Sequence, residues 1–196
     1  MIGIALGNGP SRKDFDLNSL KGSSLLTIGC NWLFRDFIPD IIVAIDNEPC
    51  EEIRAMKDRP FQWLSDNADR SMITLDDWPI CPIMDVNGFL GKNSGIISCS
   101  YLAKIAKCER VYMIGFDFFR LIPGAISNDI YVDVGQQEYK NFDVAWNKLI
   151  KDCSDTDFIR VGPIDDCDKD FYFNKLVGFQ FISYEEFGRK HAENTL

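Results

Sequence analysis

The chain has 196 residues, 46% hydrophobic and 26% charged, the balance of an ordinary globular domain, which excludes a disordered tail, a collagen-like repeat and a coiled coil. Twenty-one Lys and Arg against 30 Asp and Glu give a net charge of −9. A surface of that sign repels a phosphate backbone and disfavours generic nucleic-acid binding, whereas a discrete anionic ligand stays admissible because backbone N–H groups can hold a phosphate without net positive charge.

In chain order, Ile2 to Leu6 is a short apolar run stopped by Gly7-Asn8-Gly9-Pro10 and reads as a buried strand entering a tight turn. Ser24 to Ile28, stopping at Gly29, and Ile41 to Ile45, stopping at Asp46-Asn47-Glu48-Pro49, read alike. Runs apolar throughout, rather than alternating, are what a parallel sheet covered on both faces requires. Between them, Ser11 to Leu20 and Asn31 to Phe37 read as short helices or helical turns, and Glu51 to Asp58 as a charged helix broken by Pro60. Ile73 to Leu75 and Ile80 to Met84 are weaker strands, because Pro79 and Pro82 remove backbone donors. The strongest helix is Ser94 to Lys107: Ile97, Tyr101, Ile105 and Cys108 recur every three or four positions, and Asn93 or Ser94 can cap the first turn.

Val111 to Ile114 follows as a buried strand ended by Gly115-Phe116-Asp117, and Leu121 to Gly135 lacks periodicity and reads as a long loop. A helix is predicted over Glu138 to Lys151 with Phe142, Ala145, Trp146 and Leu149 on one face. Phe158 to Val161 and Phe179 to Ser183 are the last strands, and Tyr184 to His191 a terminal helix. The expectation is one α/β domain over residues 1–196: a Rossmann-like, mostly parallel sheet with helices on both faces and a long loop at about 121–135.

The seven cysteines, Cys30, Cys50, Cys81, Cys99, Cys108, Cys153 and Cys167, form no CxxC pair and have no histidine at zinc-finger spacing. They read as reduced thiols of a cytoplasmic protein, with Cys30, Cys99 and Cys108 behaving as small apolar residues. The first apolar stretch is too short for a signal-peptide core, and no run of about 18 apolar residues predicts a transmembrane segment. Homo-oligomerisation is left open.

In an open parallel sheet, ligands collect at the carboxyl ends of the strands. That rule selects Gly7 to Ser11, Gly29 to Asn31, Asp46 and Asn47, Asn93 to Gly95, and Gly115 to Asp117. Gly7, Asn8, Gly9 and Ser11 can form an anion nest, or only a glycine turn that lets the chain reverse. They match neither the dinucleotide fingerprint nor the P-loop. Asn31 offers an amide donor and acceptor to a base edge or ribose hydroxyl, or serves as a turn residue. Asp46 and Asn47 suit Mg²⁺, a ribose hydroxyl or an acceptor, or form an Asx turn before Pro49. Ser94 and Gly95 could aim N–H groups at an anion, or Ser94 could simply cap its helix. Asp117 reads first as a buried turn acceptor fixing its loop, and second as a catalytic carboxylate.

GNGPS after the first strand, Cys30-Asn31, Asp46-Asn47-Glu48-Pro49 and the central NSGIISCSYLAKIAKCERVYMIGFDFF resemble the bacterial sialyltransferases that modify lipooligosaccharide. In that family a Ser-Gly opens a helix, and the following strand closes with Gly-x-Asp-Phe and an aromatic, as Ser94-Gly95 and Gly115 to Phe119 do. The likeness runs from Met1 to Phe119. The GNGPS and the phrase Pro39 to Asp46 are also similar to hydroxymethylpterin diphosphokinases and motility-accessory glycosyltransferases. The resemblance implies that Asn8, Gly9 and Ser11 touch a donor's phosphate or sugar, that Asn31 and Asn47 contact its nucleotide, and that Ser94 and Gly95 add hydrogen bonds. The family's histidine base and lid tyrosines have no clear counterpart here. The single histidine, His191, lies on a polar helix and reads as solvated, and Tyr131 and Tyr139 have no fixed assignment.

The expected activity is glycosyl transfer from a nucleotide-sugar donor to a hydroxyl acceptor, without a tightly bound cofactor but with Mg²⁺ possible at Asp46 or Asp117. Asp46, Asp117, Asp129 and Asp133 are the candidate general bases. One alternative is Mg²⁺-dependent pyrophosphate transfer from ATP to a small alcohol. Another is a non-catalytic interaction protein, for which the aromatic C-terminal third, Phe171, Tyr172, Phe173, Phe179, Phe181 and Phe187, leaves room.

Overall fold

The computed structural model describes residues 1–65, 93–117, 131, 142–163 and 179–193. Within them, β1 (Ile2–Leu6), β2 (Leu26–Cys30), β3 (Ile41–Val43), β4 (Gln62–Leu64), β5 (Arg110–Ile114), β6 (Asp157–Gly162) and β7 (Phe179–Ser183) form one sheet in the order β4-β3-β2-β1-β5-β6-β7. Every neighbouring pair is parallel. The described helices are α1 (Asn47–Ala55), α2 (Ser94–Ser100), α3 (Phe142–Asp152) and α4 (Tyr184–Ala192). The order steps outward from β1 to β4, returns to the other side of β1 and steps outward again, which is the doubly wound, Rossmann-like arrangement.

Successive residues of a strand point to opposite faces, and both faces are packed here. Ala5, Ile28, Val43 and Met113 face a core completed by Ile96 and Cys99 of α2, Leu102 just beyond it, and Trp146 and Leu149 of α3. Ile4, Leu6, Ile42, Tyr112 and Ile114 face a second core containing Leu33, Phe34, Ile53 of α1 and Phe187 of α4. This double covering is the reason the strands read as continuous apolar runs.

Several boundaries differ from the expectation. Gly29 lies inside β2 rather than ending it, because a Cβ there would stand 2.2 Å from Leu33 Cδ2; the glycine lets Leu33 fold back onto the strand. The chain from Ser11 to Leu20 forms two 3-10 turns, Pro10–Asp14 and Leu17–Leu20, and a third spans Asn31–Arg35. α1 begins at Asn47 rather than Glu51, taking in Pro49, whose missing N–H is tolerated in a first turn. β4 was not expected: it is a three-residue strand without an apolar run.

The helix expected over Ser94 to Lys107 is α2 followed by one π-turn, Tyr101–Ile105. That turn rotates the buried face, so Leu102 and Ala103 enter the core while Tyr101 and Ile105 are only partly covered. β1, β2, β3, β5, β6 and β7 fall on the predicted runs to within two residues at each end. The strands expected at 73–75 and 80–84, and the loop at 121–135 apart from Tyr131, lie outside the described residues.

Cys30, Cys99 and Cys108 are buried thiols, as expected of small apolar residues, and Cys50 and Cys153 are buried as well. Burial pushes the Cys99 thiol well above its ordinary value, which keeps it protonated and unreactive. Among the described residues no helix is long and apolar enough to cross a membrane.

Candidate functional site

At the carboxyl rim, polar groups lace one strand exit to the next. The exits of β1 and β5 flank the point where the strand order reverses, the place where a doubly wound sheet usually opens a crevice. Here the backbones are joined instead: Gly7 N–H donates to Ile114 O at 2.8 Å, and Gly9 N–H to Gly115 O at 2.9 Å. A Cβ on Gly9 would lie 2.5 Å from Gly115 O, so only glycine permits the approach. Gly115 itself has φ +75°.

Ser11 completes the junction. Its N–H donates to Asp117 Oδ2 at 3.0 Å and its hydroxyl donates to Asp117 Oδ1. The amides of Gly7, Gly9 and Ser11, expected to cradle a foreign anion, therefore all donate within the chain. The anion in this nest is the Asp117 carboxylate. Its side chain is 3% exposed, and Arg160 of β6, 1% exposed, brings Nη2 to 3.6 Å from Oδ1. Arg160 Nε also donates to Phe116 O at 2.8 Å. From the start of α4, Tyr184 donates its hydroxyl to Ser11 O at 2.8 Å, and burial pushes this phenol up to about 12.

The exits of β1 and β2 are joined by Arg12 and Asp36. Arg12 Nη2 stands 3.1 Å from Asp36 Oδ2. It also donates to the Tyr131 hydroxyl at 2.7 Å, which in turn donates to Asp36 Oδ2 at 2.6 Å. The Tyr131 ring leans on Trp32, with centroids 6.5 Å apart. Burial, followed by the hydrogen bond to Asp36, raises the Tyr131 phenol, so it remains a donor through the physiological range.

The exits of β2 and β3 are joined by Asn31 and Asp46. Asn31 has the left-handed φ of +46° and is buried. Its Nδ2 donates to Asp46 Oδ2 at 2.7 Å, and its Oδ1 accepts from Ile45 N–H at 3.3 Å. Asp46 and Asn47 are exposed, at the start of α1.

α2 starts at the same rim. Asn93, not Ser94, is the cap, its Oδ1 accepting from Ile96 N–H at 3.0 Å. Gly95 lies beneath the Phe116 ring, where a Cβ would meet Cε1 at 2.7 Å. Ser98, one turn on, donates to Ser94 O at 2.8 Å and lies 3.6 Å from Cys30 Sγ at the end of β2.

Most of the predicted residues thus gather in two groups, Gly7, Gly9, Ser11 and Asp117 at one junction and Asn31, Asp46 and Asn47 at another, while Ser94 and Gly95 open α2. Asp46 follows β3 and Asp117 follows β5, with β2 and β1 between them. At about 4.8 Å per strand they are on the order of 14 Å apart, too far to act as one carboxylate pair. Asn8, buried, belongs to the first group by position. Among the described residues no three His, Cys, Asp or Glu side chains cluster in a way that could hold a metal ion.

Arg12, Asp36, Arg160 and Tyr184 were not singled out in the sequence. Arg160 carries a signal, a charge inside the apolar run Phe158 to Val161, which requires a buried partner. His191 is half-buried rather than fully solvated: at the end of α4 remote from the rim, its Nε2 lies 3.2 Å from Ser19 O. Asp129, Asp133 and Tyr139 lie outside the described residues. Compared with protein-family models, curated proteins and solved structures, the chain matches none of them.

Proposed function

We propose that the chain binds a nucleotide along the rim from β1 to β3 and transfers a sugar from a nucleotide-sugar donor to a hydroxyl acceptor. The observation that carries this reading is the Asn31–Asp46 pair. The left-handed region costs most non-glycine residues about 1–2 kcal/mol, and asparagine less, because its short amide can bond locally. Here that conformation aims one amide at Asp46 Oδ2 and at Ile45 N–H together. Held backbone strain of this kind concentrates at ligand sites. The likeness of this segment and of GNGPS to nucleotide-sugar transferases supports the choice of chemistry.

In this reading the acceptor hydroxyl gives its proton to Asp46 as its oxygen bonds to the anomeric carbon. The bond from that carbon to the nucleotide's phosphate oxygen breaks, and the electron pair leaves with the phosphate. Asn31 orients the carboxylate, and Asn47, Ser94 and Gly95 line the donor's path. Asp117 is a positioning residue: Ser11 and Arg160 already engage its oxygens, and almost none of its side chain meets solvent. The donor is a substrate, and no step is routed through a metal.

The test is donor turnover by the purified chain across a panel of nucleotide sugars, with calorimetry on ATP and cytidine nucleotides. Turnover of at least one donor is expected, with kcat falling about 10²–10⁴-fold in Asp46→Asn. Absence of both turnover and nucleotide binding would sink the reading. Binding of ATP with pyrophosphate transfer would replace it.

A further inference from the structure

We propose that Arg12 and Tyr131 form a phosphoryl-binding subsite in which Asp36 Oδ2 holds the place of a ligand oxygen. The inference rests on the nucleotide reading above and assigns the phosphate a location that the glycine turn does not provide.

The argument begins from donors and acceptors. A guanidinium has five N–H groups and no acceptor, and a buried one needs acceptors or a counter-charge. Arg12 is 3% exposed. Its Nη2 and the Tyr131 hydroxyl converge on one oxygen, Asp36 Oδ2. Its Nε is buried and, among the described residues, meets no hydrogen-bond acceptor. The cluster is therefore rich in donors and short of acceptors. A phosphoryl group, with several anionic oxygens, supplies what one carboxylate oxygen cannot.

The second part concerns which member can leave. Arg12 is fixed in the 3-10 turn after β1, whereas the Asp36 side chain is 45% exposed. A carboxylate so placed can return to water, but the buried guanidinium it leaves then requires another anion in its place. The exchange is thus one anion for another at a fixed pair of donors. Its position, between the exits of β1 and β2 and one residue beyond Ser11, lies on the rim beside Asn31.

The experiment is calorimetry on the full chain with inorganic phosphate, inorganic pyrophosphate and nucleoside 5′-monophosphates. Asp36→Asn removes the competing charge and keeps the shape; it is expected to bind pyrophosphate about 3- to 10-fold more tightly than wild type. Arg12→Gln should weaken binding by about tenfold or more, and Tyr131→Phe by about threefold. Should Arg12→Gln fail to fold, the opposed effects of Asp36→Asn and Tyr131→Phe decide the matter. Pyrophosphate affinity unchanged in both overturns the subsite.

The two readings also separate. A monophosphate that binds wild type, is lost in Asn31→Ala and ignores Asp36→Asn keeps nucleotide binding and rejects the subsite. Pyrophosphate binding that follows Arg12 and Asp36, without turnover of any nucleotide sugar, keeps the subsite and rejects the transferase.

Discussion

Ser11 gives both its backbone N–H and its hydroxyl to the two carboxylate oxygens of Asp117, across 106 residues of chain. That pairing fixes the exits of β1 and β5 to each other, and Arg160 lies against it with its charge buried.

Removing the acceptor should therefore be costly. Asp117→Ala leaves two donors of Ser11 and the Arg160 cation without it, and about 3–5 kcal/mol of stability is expected to be lost. Asp117→Asn, which keeps an acceptor, should lose about 1–3 kcal/mol. Adding Arg160→Met to Asp117→Ala should recover about 1–3 kcal/mol relative to the sum of the single changes. Urea unfolding of these variants and of Arg160→Met alone measures this, and strict additivity would show that the two side chains do not act together.

Two glycines offer a matched contrast. A methyl at Gly9 collides with the Gly115 carbonyl and Asp117, and neither can retreat without breaking the junction. Gly9→Ala should cost about 2–4 kcal/mol. Gly188, exposed on α4, has nothing within 4 Å of an added Cβ. Gly188→Ala should gain about 0.4–1 kcal/mol, through helix propensity and a less flexible unfolded chain. Thermal melts of the two variants should move in opposite directions.

At Asn31 the backbone and the side chain contribute separately. Asn31→Gly loses the bonds to Asp46 and Ile45 but accepts φ +46° freely, whereas Asn31→Ala loses the bonds and keeps the strain. Both should be destabilised, the alanine by about 1 kcal/mol more. Equal stabilities in urea would mean that the left-handed turn is not held in the folded protein.

The layered architecture was legible because both faces of the sheet are covered, which turns stretches such as Ile2–Leu6 and Val111 to Ile114 into unbroken apolar runs. β4 was not, since a three-residue edge strand containing Gln62 has neither an apolar run nor an alternation long enough to see. Of the rim, the strand ends were readable as places and the partners were not. Asn31 meets Asp46 and Ser11 meets Asp117 through the strand order, and no local pattern encodes which exits become neighbours. Pro49 misled in a simpler way, because a proline in what reads as a strand-ending turn can also sit in the first turn of a helix.

Alkaline pH should weaken the fold through its tyrosines. Burial pushes the Tyr184 phenol up to about 12. An exposed tyrosine ionises near 10, so above that pH the unfolded chain sheds a proton that the folded chain retains. The contribution of Tyr184 is thus intact below about pH 10 and is lost between about 10 and 12, by at most about 1.4 kcal/mol per pH unit. Tyr131, raised as well, adds to the same decline. Tyr184→Phe should flatten part of it and remove one late phenolate from the ultraviolet titration. An unchanged slope in that variant would contradict the burial of its hydroxyl.

The position of β1 has a consequence for biosynthesis. It leaves the ribosome before the other six described strands, yet its second neighbour in the sheet, β5, pairs Ile2 with Arg110. While the polypeptide grows from Cys30 to Arg110, one long side of this apolar strand has no native partner, and such open edges invite pairing with other chains. A nascent chain halted in that interval is therefore the form most in need of a chaperone, and the arrival of Ile114 closes that exposure.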